Sequence, residues 1–340
     1  MTLLTKGPNI IKKLSGSSYL LEIDKLTEEH DNLIIILDNN HQIDALYNEL
    51  KSLFKEKNIL KFPDYGLEPY DLSQIDKTII RDRYECFIKL NAIDTKKIII
   101  ATYKSVFYRV PLINDVSKSW KKITKQSNYN ELTDILRSFG YQKTSKVEES
   151  GQYRISGSII DFFSIISNKP IRINFFEDKI ETIKEFDPIS QISSNQLDEI
   201  VICTNAIYNI QKSNIDIYLK NIKNFFDDEY EQDIEYERIV HDRNNLYIHN
   251  LIPILFNHTD SLLSLFNEDF ACFLQKDIIS EFNEQYDNLN EAYLQENMKR
   301  YILDPESLFV KKDTLEKIFK DNYFYQISDY TCLLYTSDAA

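Results

Sequence analysis

Residues 61–71 read KFPDYGLEPYD, and residues 151–188 read GQYRISGSIIDFFSIISNKPIRINFFEDKIETIKEFDP. The first stretch contains prolines at positions 63 and 69, which is typical of a loop. It begins at the end of a short apolar segment, residues 58–62. The second stretch alternates apolar and polar residues in short segments that are separated by turn residues, which is typical of antiparallel strands. The two stretches therefore predict two different kinds of sheet in one chain.

The segments around the first stretch predict a parallel α/β domain. Residues 32–37 (NLIIIL) and 97–103 (KIIIATY) are uninterrupted apolar runs, as expected for strands that are buried on both faces. Residues 43–54 and 76–90 repeat apolar side chains every three or four positions, as amphipathic helices do. Strands that alternate with helices in this way form parallel sheets with right-handed crossovers.

The segments around the second stretch predict a small α+β domain. A helix at residues 129–139 ends at Gly140, a residue that commonly stops helices. In residues 171–176 (IRINFF) the apolar and polar positions alternate, so Arg172 and Phe176 are predicted on one face of a strand. Residues 199–320 then predict one strand followed mostly by helices.

Composition restricts the classes of function. The chain has 340 residues and a formal net charge of −14, and no basic stretch of the kind that binds duplex DNA stands out. No apolar run approaches the roughly 18 residues that span a membrane, and the first residues lack the pattern of a secretory signal. The five histidines show no metal-ligand spacing. The four cysteines show neither metal-ligand spacing nor a close pair: Cys86, Cys203, Cys272, Cys332. A reducing, cytoplasmic location without a metal site is expected.

These stretches, taken in their order, resemble the amino-terminal, UvrB-like module of the transcription-repair coupling factors. The resemblance extends from about residue 15 to about residue 319. Besides the two stretches quoted first, it is carried by residues 75–90 (IDKTIIRDRYECFIKL), 98–111 (IIIATYKSVFYRVP) and 301–315 (YILDPESLFVKKDTL). It implies an α/β fold with a parallel-sheet UvrB-like domain 1A, a small α+β domain 2, and a mostly helical return segment that corresponds to a degenerate domain 1B.

The resemblance also implies domain limits. The expected segments are domain 1A at residues 1–118, domain 2 at 119–190, the domain 1B-like segment at 191–322, and a linker with a non-native tail at 323–340. Proteins of this family are much longer, so the chain is expected to be an amino-terminal fragment. The parts that bind RNA polymerase and DNA, and the ATP-dependent translocase with its ATP and magnesium, would then lie outside it.

The expected place of a phosphate-binding loop carries the wrong residues. Such a loop needs glycines whose backbone N–H groups surround the phosphates, then Lys for the phosphates and Ser or Thr for magnesium. In the resembling position this chain reads Ser15, Gly16, Ser17, Ser18, Tyr19, with Tyr19 in the place of Lys and Leu20 in the place of Ser or Thr. We therefore expect no cofactor, no catalytic residue and no enzymatic activity in this chain.

The resemblance gives Arg172 and Phe176 a role in binding UvrA, because they are the counterparts of an arginine and a phenylalanine that contact UvrA in the family. An arginine beside an exposed aromatic residue is also a common composition of an interface hot spot. A purely structural alternative is that Phe176 covers the sheet and that Arg172 pairs with Glu177 or Glu181.

Arg154 is the third expected UvrA-binding residue, on a strand expected to neighbour that of Arg172. Residues 153–157 (YRISG) align with a stretch where UvrB reads Phe-Arg-Val-Arg-Gly, so that Arg154 matches the first arginine and Ser156 stands at the second. The loss of that second arginine removes a charged, bidentate donor from the expected surface.

The expected function is therefore that of a UvrB mimic, which recruits UvrA to RNA polymerase stalled at DNA lesions in nucleotide excision repair. The long aromatic hairpin with which UvrB clamps DNA has no room between Asp71 and Asp76, so direct reading of damage is not expected. Two alternatives remain: a stand-alone nucleotide-binding or nucleic-acid-processing α/β enzyme, and an α/β protein with an unrelated partner.

Overall fold

The computed structural model describes residues 6–11, 18–91, 96–206, 208, 212–225, 248–266, 270–297 and 302–327. The chain divides into two compact units. Unit 1 comprises Met1–Ile113, Ile217–Asp233 and Tyr247–Ala340, and unit 2 comprises Asn114–Asp216 and Ile234–Leu246.

Strands and helices alternate in the first part of unit 1. They are β1 (Gly7–Ile11), α1 (Ser18–Glu29), β2 (Asn32–Leu37), α2 (Asn40–Leu53), β3 (Asn58–Phe62), α3 (Lys77–Asn91), β4 (Lys97–Thr102), α4 (Tyr103–Phe107) and β5 (Val110–Pro111). Every residue of β2 and β4 is buried, as the uninterrupted apolar runs predicted.

Short strands dominate the middle of the chain. After α5 (Ile113–Val116) and a 3₁₀ turn (Ser117–Ser119) come β6 (Trp120–Thr124), α6 (Tyr129–Ser138), β7 (Gln142–Lys143), β8 (Gln152–Ser156), β9 (Ile159–Phe162), β10 (Ile171–Phe176), β11 (Lys179–Phe186), β12 (Ser193–Leu197) and β13 (Glu199–Cys203). Asn128 precedes helix α6 and caps it together with Glu131, and Gly140 follows the helix in the left-handed conformation.

The last part of the chain contributes helices and three strands. It contains α7 (Lys212–Phe225), a 3₁₀ turn (Ile248–Asn250), α8 (Ile252–Leu255), β14 (Thr259–Asp260), a 3₁₀ turn (Leu262–Leu265), β15 (Ala271–Leu274), α9 (Ile278–Glu296), α10 (Pro305–Leu308), α11 (Lys312–Asp321) and β16 (Tyr323–Ile327).

The main sheet of unit 1 has six strands in the order β1-β16-β15-β2-β4-β3, and every neighbouring pair is parallel. The predicted α/β fold class with its parallel sheet is confirmed. Residues 323–327 were expected in a linker, but they form β16 between β1 and β15. The reason is that Phe324 and Tyr325 are both buried and that Tyr325 belongs to the hydrophobic core of unit 1.

The loop at residues 61–71 is fixed by contacts from distant parts of unit 1. Arg83 of α3 donates a hydrogen bond to the carbonyl of Pro63 at 2.7 Å, and the Tyr70 hydroxyl donates to the carbonyl of Leu303 at 2.8 Å. Gly66 has a φ of 68°, and a Cβ at this position would lie 3.1 Å from Ile79. The backbone conformation therefore favours glycine, and a larger residue would also force the Ile79 side chain to shift by a few tenths of an ångström.

Unit 2 contains a six-stranded sheet in the order β12-β11-β10-β9-β8-β7, antiparallel except between β7 and β8. Strands β6 and β13 form a separate antiparallel ribbon. The core lies between the sheet, α6 and this ribbon, and includes Leu132, Leu136, Ile173, Phe175 and Ile202.

The limits of unit 2 differ from those expected for domain 2. Strands β12 and β13 fall within the expected domain 1B-like segment at 191–322, but they pair with β11 and β6 of unit 2. Such pairing between strands that are distant in the sequence is decided by tertiary contacts, which the local pattern of residues does not contain.

Candidate functional site

The six-stranded sheet of unit 2 has one face on the core and one face away from it, which we call the outer face. Along β10 the side chains of Ile171, Ile173 and Phe175 are buried in the core. Arg172 and Phe176 alternate with them and lie on the outer face, as the period of two predicted.

Arg154 and Arg172 lie on either side of one buried acid, Asp161. In the strand register Asp161 of β9 stands opposite Arg154 of β8 and opposite Arg172 of β10. The expectation that the strands of the two arginines are neighbours was wrong, because β8 and β9 form a hairpin that places β9 between them. All three side chains still occupy one row on the outer face.

Arg172 and Asp161 form a bidentate ion pair. The guanidinium Nε lies 2.7 Å from Oδ1 of the carboxylate, and Nη2 lies 3.0 Å from Oδ2. The Asp161 side chain is only 3% exposed and that of Arg172 is 21% exposed. The partner of Arg172 is thus Asp161, and not Glu177 or Glu181 as the structural alternative had it. These hydrogen bonds raise the pKa of Arg172 above its usual value.

Arg172 makes two further contacts within unit 2. Its Nη1 donates a hydrogen bond to the carbonyl of Gln191 at 3.1 Å, and its guanidinium carbon lies 4.7 Å from the centre of the Phe186 ring. Three of its five N–H donors are therefore used internally, and two have no acceptor among the described residues. Much of this side chain serves the fold of unit 2.

Arg154 makes fewer contacts with described residues than Arg172 does. Its side chain is half-buried and makes no hydrogen bond or ion pair with the residues that the structure describes. Ser156, two residues further along β8, is exposed at the turn into β9. The guanidinium of Arg154 on the outer face is thus available to bind a partner, whereas the short hydroxyl of Ser156 adds no charge to this face.

Phe176 lies at the end of β10 with its side chain 70% exposed. Glu177 follows with a φ of 57°, which turns the chain sharply into β11. The preceding Phe175 points the other way and packs edge-to-face on Tyr129, with ring centres 5.2 Å apart. Phe176 therefore does not cover the sheet, and its ring projects into solvent beside the turn.

Sequence reasoning missed Asp161 and Gln191. A signal for Asp161 is present in residues 159–163 (IIDFF), because an acid inside an apolar strand needs a buried cation to compensate its charge. No comparable signal marks Gln191, whose backbone carbonyl is the group that Arg172 contacts.

The expected degenerate phosphate loop is described only in part. Ser15, Gly16 and Ser17 lie outside the described residues, whereas Ser18 and Tyr19 begin helix α1. The hydroxyl of Tyr19 donates a hydrogen bond to Glu49 of α2, and burial together with this contact raises the pKa of Tyr19. Tyr19 lines a cavity of about 20 Å³, far below the roughly 300 Å³ of a small-ligand pocket.

Three cysteines and His249 are buried among the described residues. Within the described residues no group of three or more His, Cys, Asp or Glu side chains could hold a metal ion, and the buried residues Cys86, Cys203 and Cys272 form no disulfide there. Burial raises the pKa of Cys86 to about 12 and lowers the pKa of His249 to about 4. No helix among the described residues is long and apolar enough to span a membrane.

Comparison with known proteins places the outer face in a named domain. Residues 122–208 match the family model of the UvrB interaction domain, and this range falls within unit 2.

Most of the chain is similar to curated transcription-repair-coupling factors. It is 27% identical over 277 residues to that of Rickettsia typhi, which covers 80% of the chain and 24% of the relative. It is 24% identical over 301 residues to that of Rickettsia bellii, with 86% and 27% covered, and 21% identical over 322 residues to that of Escherichia coli K12, with 90% and 27% covered.

The chain thus spans about a quarter of the length of the curated relatives that it matches. The resemblance that the motifs indicated is confirmed: the chain is similar to the amino-terminal, UvrB-like module of the transcription-repair-coupling factors, and its residues 122–208 match the UvrB interaction domain.

Proposed function

We propose that this chain is a protein-binding module of transcription-coupled nucleotide excision repair, and that the outer face of unit 2 binds UvrA. The observation that carries the proposal is that the UvrB interaction domain falls on the unit that presents Phe176 on its surface. In a longer protein this module would bring UvrA to RNA polymerase stalled on damaged DNA in the cytoplasm. Binding of polymerase and DNA, and ATP-driven translocation, would belong to other parts of that protein.

The composition of the outer face supports a protein partner. Exposed aromatic rings and arginine forks are the residues that most often dominate protein interfaces. Phe176 offers a ring that is already in solvent, so it costs the fold little to bury it against a partner. Arg154 offers a fork that no described residue occupies. The partner surface is therefore expected to hold an apolar recess beside a carboxylate.

We assign a mainly structural role within this surface to Arg172. Its two unused N–H donors can still reach a partner, but its position is set by Asp161 and Gln191. A substitution of Arg172 would thus change both the binding surface and the fold of unit 2, and these effects need separate measurements.

We further propose that the chain acts without nucleotide and has no enzymatic activity of its own. Tyr19 stands where a phosphate-binding lysine would be required, and its hydroxyl is engaged by Glu49. A phenol carries no positive charge with which to replace an ammonium group beside phosphates.

Replacing Phe176 by alanine is expected to weaken binding of UvrA from the same organism by about 5- to 150-fold, which corresponds to about 1–3 kcal/mol. The physical reason is the loss of an apolar anchor at the interface. Isothermal titration of the wild-type and variant chains with UvrA measures the effect.

The matched control is Leu294→Ala, because Leu294 is also an exposed apolar residue but lies in unit 1. Both variants are expected to unfold at the same denaturant concentration as the wild type, since both side chains lie in solvent. If the wild type binds UvrA and the two variants bind it equally well, Phe176 is not part of the interface.

A further inference from the structure

The loop at residues 187–192, between β11 and β12, presents two apolar side chains to solvent. Ile189 is 85% exposed and Ile192 is 69% exposed. Together with Phe176, they are the large apolar residues of unit 2 that stand exposed in the described part of the chain. Single exposed apolar residues are common on protein surfaces, but two of them in one short loop form a small apolar patch.

Hydrogen bonds within the loop hold its shape. Oδ1 of Asp187 accepts hydrogen bonds from the backbone N–H of Ile189 at 3.1 Å and of Ser190 at 2.7 Å, and from the Ser190 hydroxyl at 2.9 Å. The N–H of Asp187 donates to the carbonyl of Ile192 at 3.0 Å, which closes the loop at its base. The two isoleucines are therefore carried by an ordered turn.

A second set of contacts ties the loop to the sheet through Gln191. Its carbonyl accepts the hydrogen bond from Arg172, and its side-chain amide donates to the carbonyls of Pro188 at 2.7 Å and Val147 at 3.4 Å. Gln191 has a φ of 61°, a conformation that non-glycine residues adopt rarely and only where surrounding contacts enforce it. Arg172, itself held by Asp161, is one of these enforcing contacts.

The loop and Phe176 lie at opposite ends of the same pair of strands. Phe176 ends β10 next to the turn into β11, whereas residues 187–192 follow the far end of β11. The length of β11, roughly 23 Å, separates the two ends, and Arg154 and Arg172 lie in the row between them. This spacing fits within one interface of standard size, which covers about 800 Å² on each partner.

We infer that residues 187–192 form a second apolar contact of the UvrA-binding face, and that Asp161 and Arg172 are the positioning residues that hold this contact in place. The inference rests on the proposed function, since it assigns further residues to the same interface. It describes a partner surface with a recess for two aliphatic side chains, one strand length from the recess for an aromatic ring. A loop that is ordered before binding loses little conformational entropy when it binds.

The contact is tested by the double variant Ile189→Ser/Ile192→Ser, titrated with UvrA. We expect UvrA binding about 10- to 100-fold weaker than that of the wild type. The matched control is Leu53→Ser/Leu294→Ser, which also removes two exposed apolar side chains, but from unit 1, and should bind as the wild type does.

The role of Arg172 is tested by a double-mutant cycle. If Arg172 acts through the loop, Arg172→Gln weakens UvrA binding when it is introduced into the wild type. Introduced into the double isoleucine variant, it causes little further loss of UvrA affinity. Phe176→Ala, at the opposite end of the strand pair, should weaken UvrA binding by the same factor in the double isoleucine variant as in the wild type. If Arg172→Gln does not fold, Arg172→Lys, which keeps the charge but not the fork, replaces it in the cycle.

The outcomes separate the inference from the proposed function. If the wild type and the double isoleucine variant bind equally while Phe176→Ala binds more weakly, the inference is overturned and the proposed function stands. If the losses of UvrA affinity caused by Arg172→Gln and by the double isoleucine substitution add fully, the positioning role of Arg172 is overturned. If the isoleucine variant changes the sedimentation coefficient of the chain alone, the loop is a self-association surface instead. If the wild type does not bind UvrA, both proposals fall.

Discussion

Replacing Arg172 by alanine is expected to destabilise unit 2 by about 3 kcal/mol. The variant leaves the carboxylate of Asp161 buried at 3% exposure without the cation that now makes two hydrogen bonds to it. It also removes the hydrogen bond to Gln191 and the stacking of the guanidinium on Phe186. A buried charge without its partner lowers the free energy of unfolding by far more than a surface ion pair raises it.

Trp120 provides the probe for this effect, because it is the single tryptophan of the chain and lies on β6 of unit 2. Urea unfolding followed by its fluorescence gives the free energy of unfolding of that unit. The control is Arg154→Ala, which removes the same charge from the same row without breaking an ion pair, and it should stay within about 0.5 kcal/mol of the wild type. Equal effects of the two substitutions would mean that the Asp161 pair does not stabilise the unit.

Replacing Arg83 by alanine is expected to destabilise unit 1 by about 4 kcal/mol. The guanidinium of this buried side chain lies between two rings, 4.0 Å from the centre of Phe62 and 4.4 Å from that of Tyr65. It also donates to the carbonyl of Pro63 at 2.7 Å and to the Tyr65 hydroxyl at 3.3 Å. The substitution leaves a cavity and unpaired polar groups at the loop that follows β3.

Far-UV circular dichroism during urea unfolding measures this loss. The neighbouring Arg81→Ala is the control: Arg81 is partly exposed on the same helix and pairs with Asp82 at 3.6 Å, so its loss should cost less than about 1 kcal/mol. A wild-type-like unfolding midpoint for Arg83→Ala would contradict the role assigned to this side chain in fixing residues 61–71.

The sequence predicted those parts of the fold that depend on local pattern. The uninterrupted apolar runs at residues 32–37 and 97–103 became β2 and β4, because only strands buried on both faces accept such runs. The alternation in residues 171–176 correctly assigned Phe176 to the face opposite the core. Period two and period 3.6 are properties of neighbouring residues, so they can be read without knowledge of the tertiary structure.

Features that depend on distant contacts could not be predicted in this way. Strand β16 pairs with β1 and β15, and β12 pairs with β11. The residue pattern within each of these strands does not specify the strand with which it pairs. The same limit explains Arg172, for which the structural alternative named Glu177 or Glu181 as partner, because the acid that holds it lies on another strand. Whether Arg154, Arg172 and Phe176 bind UvrA remains a prediction.

Hydroxyl-radical footprinting of the chain with and without UvrA tests the central claim most directly. The radicals oxidise exposed aromatic and aliphatic side chains, and the chain carries such side chains in both units. We predict that UvrA protects Phe176, Ile189 and Ile192 of unit 2 from oxidation and leaves Leu53 and Leu294 of unit 1 unchanged. Protection confined to unit 1, or no protection at saturating UvrA, would contradict the proposal that the outer face of unit 2 is the UvrA-binding surface.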